Sequence, residues 1–342
     1  MKDIVREIAA LKERYTKAIA ERSEGKTVSR EEFTLLLSGI STCRRVPGVP
    51  AHMGYESLYH CESEEDVRQV REHLERLFHV TDKDSLKRAC VQVYHGSNEY
   101  EQFMTFWSGA PLFDIKELNP DGRRGFLHCK KLAENFLPIV REKGFYAWDI
   151  DNIIGLCRSA VACGILSDEE FWLATDPWVR KAQVFYHSYE EYAISSLCGA
   201  IYDMGRYDDD VSGFFDINRN LVENLLGEGG AWQRNAWYVP KEREWAVLVD
   251  GNMGSMGCFV TKRALSEGNI GYMYRDEPAP NYPDSGWRFF VGDESDEYID
   301  NPDNTSVCVL NTVYNLWPDA MAYLHAAVGR RFGRQKDGWV EE

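Results

Sequence analysis

For about two thirds of its length this chain repeats one signal, and past residue 244 the signal stops. The signal is a hydroxyl residue followed three positions later by a carboxylate, close to apolar residues spaced three or four apart. It occurs as Ser29 with Glu32, Ser63 with Asp66, Thr81 with Asp84, Ser167 with Glu170 and Ser188 with Glu191. A hydroxyl so placed accepts a hydrogen bond from an amide that a helix start leaves without a partner, and the carboxylate bonds back to the cap's own amide. One-sided apolar stripes accompany these starts, such as Ile4, Ile8, Leu11, Tyr15 and Ile19, or Val67, Val70, Leu74 and Leu77. Such stripes belong to helices that bury one face. The pattern predicts an all-helical domain over residues 1–235, closed by Gly227-Glu228-Gly229-Gly230.

The rhythm breaks at Asn119-Pro120-Asp121-Gly122, which reads as a turn within a loop, and again from Asp208-Asp209-Asp210 to Gly213. From Glu244 onward the chain offers short β-prone runs separated by glycine, proline and asparagine. They are Trp245–Val249, Cys258–Val260, Ile270–Tyr274, Trp287–Val291 and Ser306–Val309. Short helices fit Lys262–Glu267, Asn311–Leu316 and Asp319–Ala326. The second domain, residues 236–342, is therefore expected to be a small α+β fold with a short-stranded, mainly antiparallel sheet, which makes the whole chain α+β. A length of 342 residues suits two domains. The run Gly251–Gly257 reads as a flexible hairpin connection, because it lacks the lysine and the Gly-Lys-Ser/Thr ending of a phosphate loop.

The formal charge is −16, of which residues 236–342 carry −7, from 10 basic against 17 acidic side chains. An acidic body disfavours nucleic acid and anionic membrane and speeds association with basic partners. No apolar run approaches the length of a membrane span, and the first twenty residues have no signal-peptide core. The nine cysteines are scattered, with no C-x-x-C pair, as expected of reduced thiols in a cytoplasmic protein.

Most of the local charge sits in one stretch. From Asp284 to Asn304 seven carboxylates face a single base, Arg288, for a net −6 beside the aromatic strand Trp287-Arg288-Phe289-Phe290-Val291. On a strand, Trp287, Phe289 and Val291 share one face and Arg288 and Phe290 the other, so one face is expected to be core. Arg288 is expected to pair with Asp284 or Asp293. Three roles are open to the acidic stretch. It could bind a basic protein surface, with Trp287, Tyr272 and Tyr274 supplying contact area. It could offer oxygen ligands or acid–base groups through Asp293, Glu294, Asp296 and Glu297, although the spacing is not that of a Ca²⁺ loop. Or it could cap a short helix at 294–299 and otherwise be solvated.

Nucleophilic and metal chemistry lack a motif. The eight histidines include no H-E-x-x-H pair, and Ser285 does not stand in G-x-S-x-G. No catalytic residue, metal ligand or cofactor is assigned.

Two family resemblances attach to these residues. Ala147-Trp148-Asp149, Arg158, Gly164–Glu170, Tyr186–Glu191 and Gly205-Arg206 resemble the bacterial family called domain of unknown function 1266, with Tyr189 where that family more often has tryptophan. That resemblance covers about residues 55–210 and carries no activity; Trp148, Asp149, Arg158, Glu170 and Arg206 are the polar or amphipathic members of its pattern, and pairing of Arg158 with a glutamate such as Glu170 would be architecture. Gly271–Pro278, Asp284–Phe289, Gly292-Asp293-Glu294 and Asn301–Asn304 resemble the immunity protein 33 family, also called domain of unknown function 2185. This second resemblance implies an inhibitor of a bacterial polymorphic toxin. The expected function is thus non-enzymatic: capture of a protein partner, a toxin domain with a basic face, through Asp284, Trp287, Arg288, Asp293, Glu294, Asp296, Glu297, Tyr272 and Tyr274. The alternative expectation is an enzyme of unknown reaction with a carboxylate-lined or metal-binding site between the domains.

Overall fold

The computed structural model describes residues 1–21, 25–44, 54–208, 210–336 and 338–342. Asp209 and His52 lie outside the described residues, as does the side chain of Ile19. The chain forms two compact units, one of Met1–Glu101 with Ile115–Glu244, the other of Gln102–Asp114 with Trp245–Glu342.

The first unit is helical, and its start signals act as the sequence predicts at four of five places. Ser29, Ser63, Ser167 and Ser188 each accept from the amide three residues on, and Ser29 and Ser167 complete the reciprocal capping box. Thr81 is the exception. Asp82 is the cap of Lys83–Val93, and Ser85 bonds back to it, because Asp is the stronger acceptor and the box closes one residue later. Asn119-Pro120 is not a loop turn. Asn119 caps Pro120–Glu134, and proline at the first helical position forfeits only an amide that had no partner.

Ile4, Ile8, Leu11 and Tyr15 are buried along the inner face of Lys2–Glu21. The centre of the unit is the helix Tyr146–Ala162, which is buried almost throughout, its ionisable Asp149, Asp151 and Arg158 included. It packs against Asp168–Phe185 and Tyr189–Gly205. Gly199 makes one of these approaches possible, since a Cβ there would lie 2.5 Å from the Trp148 Cβ.

The second unit is built on a six-stranded mixed sheet of order β4-β1-β3-β2-β5-β6. Its strands are β1 Gly257–Thr261, β2 Tyr272–Arg275, β3 Asp284–Phe290, β4 Thr305–Val309, β5 Arg331–Gln335 and β6 Gly338–Glu341. Only β1 and β3 run parallel. The other pairings are antiparallel, as expected from short runs joined by tight turns. One face is covered. Cys258, Val260, Met273, Trp287, Phe289 and Phe332 lie in a core with Ala264, Leu310, Val313, Tyr314 and Leu324.

Two β-prone readings change. Gly251–Ser255 is a short helix, with its Gly254 buried, in place of a flexible hairpin. Trp245–Val249 is extended but belongs to no strand. Two asparagines one turn apart on the helix Leu310–Leu316 take the place of a partner strand. Asn315 exchanges hydrogen bonds with both backbone groups of Ala246, each at 2.8 Å. Asn311 accepts from the Leu248 and Val249 amides and donates to the Val249 carbonyl. Five backbone groups of the run are therefore satisfied without a ladder.

Candidate protein-binding face

The opposite face of the sheet is the candidate site. Register sets its residues in rows, since directly paired residues point the same way. Val307, Phe259, Arg288, Tyr274 and Arg331 form one row across β4, β1, β3, β2 and β5, and Phe290, Tyr272, Gly333 and Val340 form the next. Val307 is 73% exposed, Val340 45%, Val309 43% and Phe259 38%. Tyr272, Tyr274 and Phe290 are half-buried and mutually packed, with Tyr274 and Phe290 stacked at 5.6 Å between centroids. This face carries apolar and aromatic surface that the covered face buries.

Arg288 sits at the centre, and β3 is shaped to hold it. Between Gly257 and Phe259, β1 advances two residues while β3 advances four. The excess is absorbed around Gly286, at φ 81°, where a Cβ would meet the Asp276 carbonyl at 2.3 Å. An undistorted strand would separate residues four apart by about 13 Å. Here Asp284 and Arg288 meet as a two-pronged ion pair at 2.9 and 2.8 Å. The Asp284 carboxylate also accepts from the Ala279 and Gly286 amides. The Arg288 guanidinium beside it, aided by those amides against burial, holds its carboxyl down to about 2. The flat guanidinium also lies 4.4 Å from the Phe259 ring centroid, so a cation–π contact links the pair to the exposed row.

The acidic run borders this face at the end of β3, and its members do different things. Glu294 fastens the turn, accepting from the Val291 and Gly292 amides and the Thr261 hydroxyl. Burial works against its charge, but those bonds leave its carboxyl below the usual range. Asp293 is exposed and paired with Arg263 at 3.0 Å. Asp296 and Glu297 are exposed in the first turn of the helix Asp296–Ile299, whose cap is Ser295. Gly292, at φ 104°, lies against Tyr272, so the acidic turn and the aromatic rows touch.

Of the nine residues singled out in the sequence, the structure thus places Asp284, Trp287 and Arg288 inside. Trp287 is 1% exposed, stacks on Phe289 and donates its indole N–H to the Leu324 carbonyl on the covered face. Tyr272, Tyr274, Asp293, Glu294, Asp296 and Glu297 lie on or beside the open face. Phe259, Phe290, Val307, Val309 and Val340 belong with them and were not singled out. The alternating apolar positions in Ser306-Val307-Cys308-Val309 were the available signal, but alternation does not reveal which face lacks a cover.

The helical unit offers other chemistry. A cavity of about 330 Å³ is lined by Lys12, Tyr15, Arg141, Lys143, Glu190 and Glu191, with Lys143 and Glu191 paired at 2.6 Å. Arg158, 2% exposed, does not reach Glu170. It donates to the Leu35 and Gly54 carbonyls and to the Ser38 and Thr42 hydroxyls, while Glu170 pairs with Lys83. Among the described residues no group of three or more His, Cys, Asp or Glu is placed to hold a metal ion, and all nine cysteines are free. Among them, too, no helix is long and apolar enough to cross a membrane.

Comparison with known proteins gives two matches. Residues 258–342 match the family model of the immunity protein Imm33 domain. Residues 53–237, more than half of the chain, match that of a protein of unknown function, DUF1266. No curated protein and no solved structure matches.

Proposed function

The chain belongs to the DUF1266 family and carries an Imm33-type segment at its C-terminal end, and from that premise we propose that it is a non-enzymatic protein-binding module. It neutralises a toxin domain in the cytoplasm by covering it with the open face of the sheet. The observation that carries this reading is the exposed aromatic and aliphatic face set against an acidic turn. Tyr272, Tyr274, Phe290 and Phe259 supply contact area on rigid strands, where rings lose little conformational freedom on binding. Asp293, Asp296 and Glu297 form a negative rim that steers a basic partner and sets its orientation. Asp284, Arg288 and Glu294 act beneath the surface by holding β3 and its turn in shape.

The test compares the full-length chain with two variants, Tyr274→Ala and Asp296→Lys/Glu297→Lys, as baits in the native host. Truncating a central ring costs about 2 kcal/mol or more of binding, roughly thirtyfold in Kd. The charge reversal acts mainly on the association rate and its salt dependence. The charge reversal keeps the melting temperature of the wild type, Tyr274→Ala loses its stacking on Phe290 but stays folded, and a toxin retained equally by all three would refute the assignment.

A further inference from the structure

We propose that β4 is the pairing edge for a second copy of this chain, joined strand to strand about Val307. The inference goes beyond the toxin-binding reading and does not depend on it.

The backbone decides which groups are free. Leu310 donates its amide to the Met256 carbonyl at 3.0 Å, and the register sets Cys258 opposite Cys308 and Phe259 opposite Val307. Bonded and unbonded pairs alternate along an antiparallel ladder. Ser306 and Cys308 therefore turn their backbone groups toward β1, while those of Thr305, Val307 and Val309 point out of the sheet. Among the described residues β4 is the terminal strand on that side. Edges of this kind are usually blunted by a charge, a proline or a bulge. Thr305-Ser306-Val307-Cys308-Val309 has no charge and no proline, and its register with β1 is unbroken. The opposite edge strand, β6, does carry a charged side chain, Glu341, which pairs with Arg330.

The segment is complementary to itself. With the two-fold axis at Val307, that residue faces its own copy and Thr305 faces Val309. The three outward positions of each strand then exchange about six hydrogen bonds across the axis. Val307 and Phe259 lie on the same face, so the pairing makes an unbroken apolar row, Phe259–Val307–Val307–Phe259, from two residues now 38% and 73% exposed.

Charge selects the antiparallel form. Asp303 is the last carboxylate before the strand. Parallel pairing would set the two copies of Asp303 about 5 Å apart, whereas the two-fold arrangement separates them by about 27 Å, beyond the screening length at physiological salt.

Sedimentation equilibrium of the full-length chain tests this. A five-residue edge and one apolar row make a small interface, so the mass should rise from 39.4 kDa at about 1 μM toward its double by about 500 μM. In the concentrated sample, hydrogen exchange at the amides of residues 305, 307 and 309 should slow. Val307→Lys, which opposes two ammonium groups, and Val307→Pro, which removes an outward amide that the ladder does not use, should remain monomers with unchanged melting. A wild-type mass that stays at 39.4 kDa throughout overturns the proposal and leaves the edge to a foreign strand. Variants that dimerise as the wild type does also overturn it.

Discussion

Both units bury charged side chains, and they do so by opposite means. In the sheet unit Asp284 and Arg288 are buried together, each the other's main partner. In the helical unit Asp151 and Arg158 are buried with hydrogen bonds to neutral groups, and the charges near them, Arg44 for Asp151 and Asp151 for Arg158, act without a direct ion pair among the described residues. Asp151 is wholly inaccessible and accepts from the Ile40 and Ser41 amides, both at 2.9 Å, at the start of the helix Gly39–Cys43. Arg158 is surrounded by carbonyls and hydroxyls. The consequence shows in proton affinity. Burial pushes the Asp151 carboxyl up to about 7, only partly offset by the Arg44 charge and the two amides. Burial likewise brings Arg158 down to about 10. Asp284, with a full opposite charge against it, goes the other way. Depth alone does not set the charge state of a buried group; the formal charge of its nearest partner does.

The largest effect that would break this comparison is proton linkage in the helical unit. Asp151 binds its proton near pH 7 when folded and near 3.9 when unfolded. Between those values the folded unit holds more protons, so stability increases as pH falls from 7 to 4, by up to about 4 kcal/mol. Urea unfolding read by pulse-labelled helical peptides should show the rise, and Asp151→Asn should flatten it. A flat wild-type profile would mean that Asp151 is not held as described.

A somewhat smaller effect is expected on removing one half of the ion pair. Arg288→Met leaves a buried carboxylate without its counter-charge and should cost about 3 kcal/mol in the sheet peptides. Adding Asp284→Asn should recover most of that loss. If the double variant is as unstable as the single one, the pair is not coupled.

The smallest effect is the acid limb of the same pair. Asp284 titrates at about 2 when folded and near 3.9 when unfolded. Its contribution is therefore complete above about pH 5 and lost as pH falls toward 2, amounting to about 2–3 kcal/mol. The same labelling below pH 4 should show the sheet unit weakening after the helical unit has reached its plateau. Simultaneous loss in both units would blur the contrast.

How far these features could be read in advance follows from how local they are. Serine caps at Ser29, Ser63, Ser167 and Ser188 are decided within four residues, and they stand in the sequence as they stand in the fold. The Arg288–Asp284 pair was one of two candidates, because spacing could not show that Gly286 folds β3 back on itself. For Arg158 a nearby glutamate such as Glu170 is the partner that local spacing suggests, but its acceptors lie more than a hundred residues away. Nothing in Asp149-Ile150-Asp151 marks one carboxylate for the interior when its stabilisers, the Ile40 and Ser41 amides and the Arg44 charge, lie more than a hundred residues away. The open face escaped for a similar reason: alternation in Cys258–Val260 and Ser306–Val309 shows that a sheet has two sides, but cover is a property of the helices packed elsewhere.

The extended run at Ala246–Val249 has a mechanical consequence. A strand zipped into a sheet resists pulling along its length because its bonds share the force and break together. This run is fastened at two separate points, Asn315 and Asn311. Tension applied from its N-terminal end reaches Asn315 first and Asn311 only afterwards. It should peel in two steps of low force, making this the weakest stretch of the second unit in a stretching experiment while leaving the sheet intact.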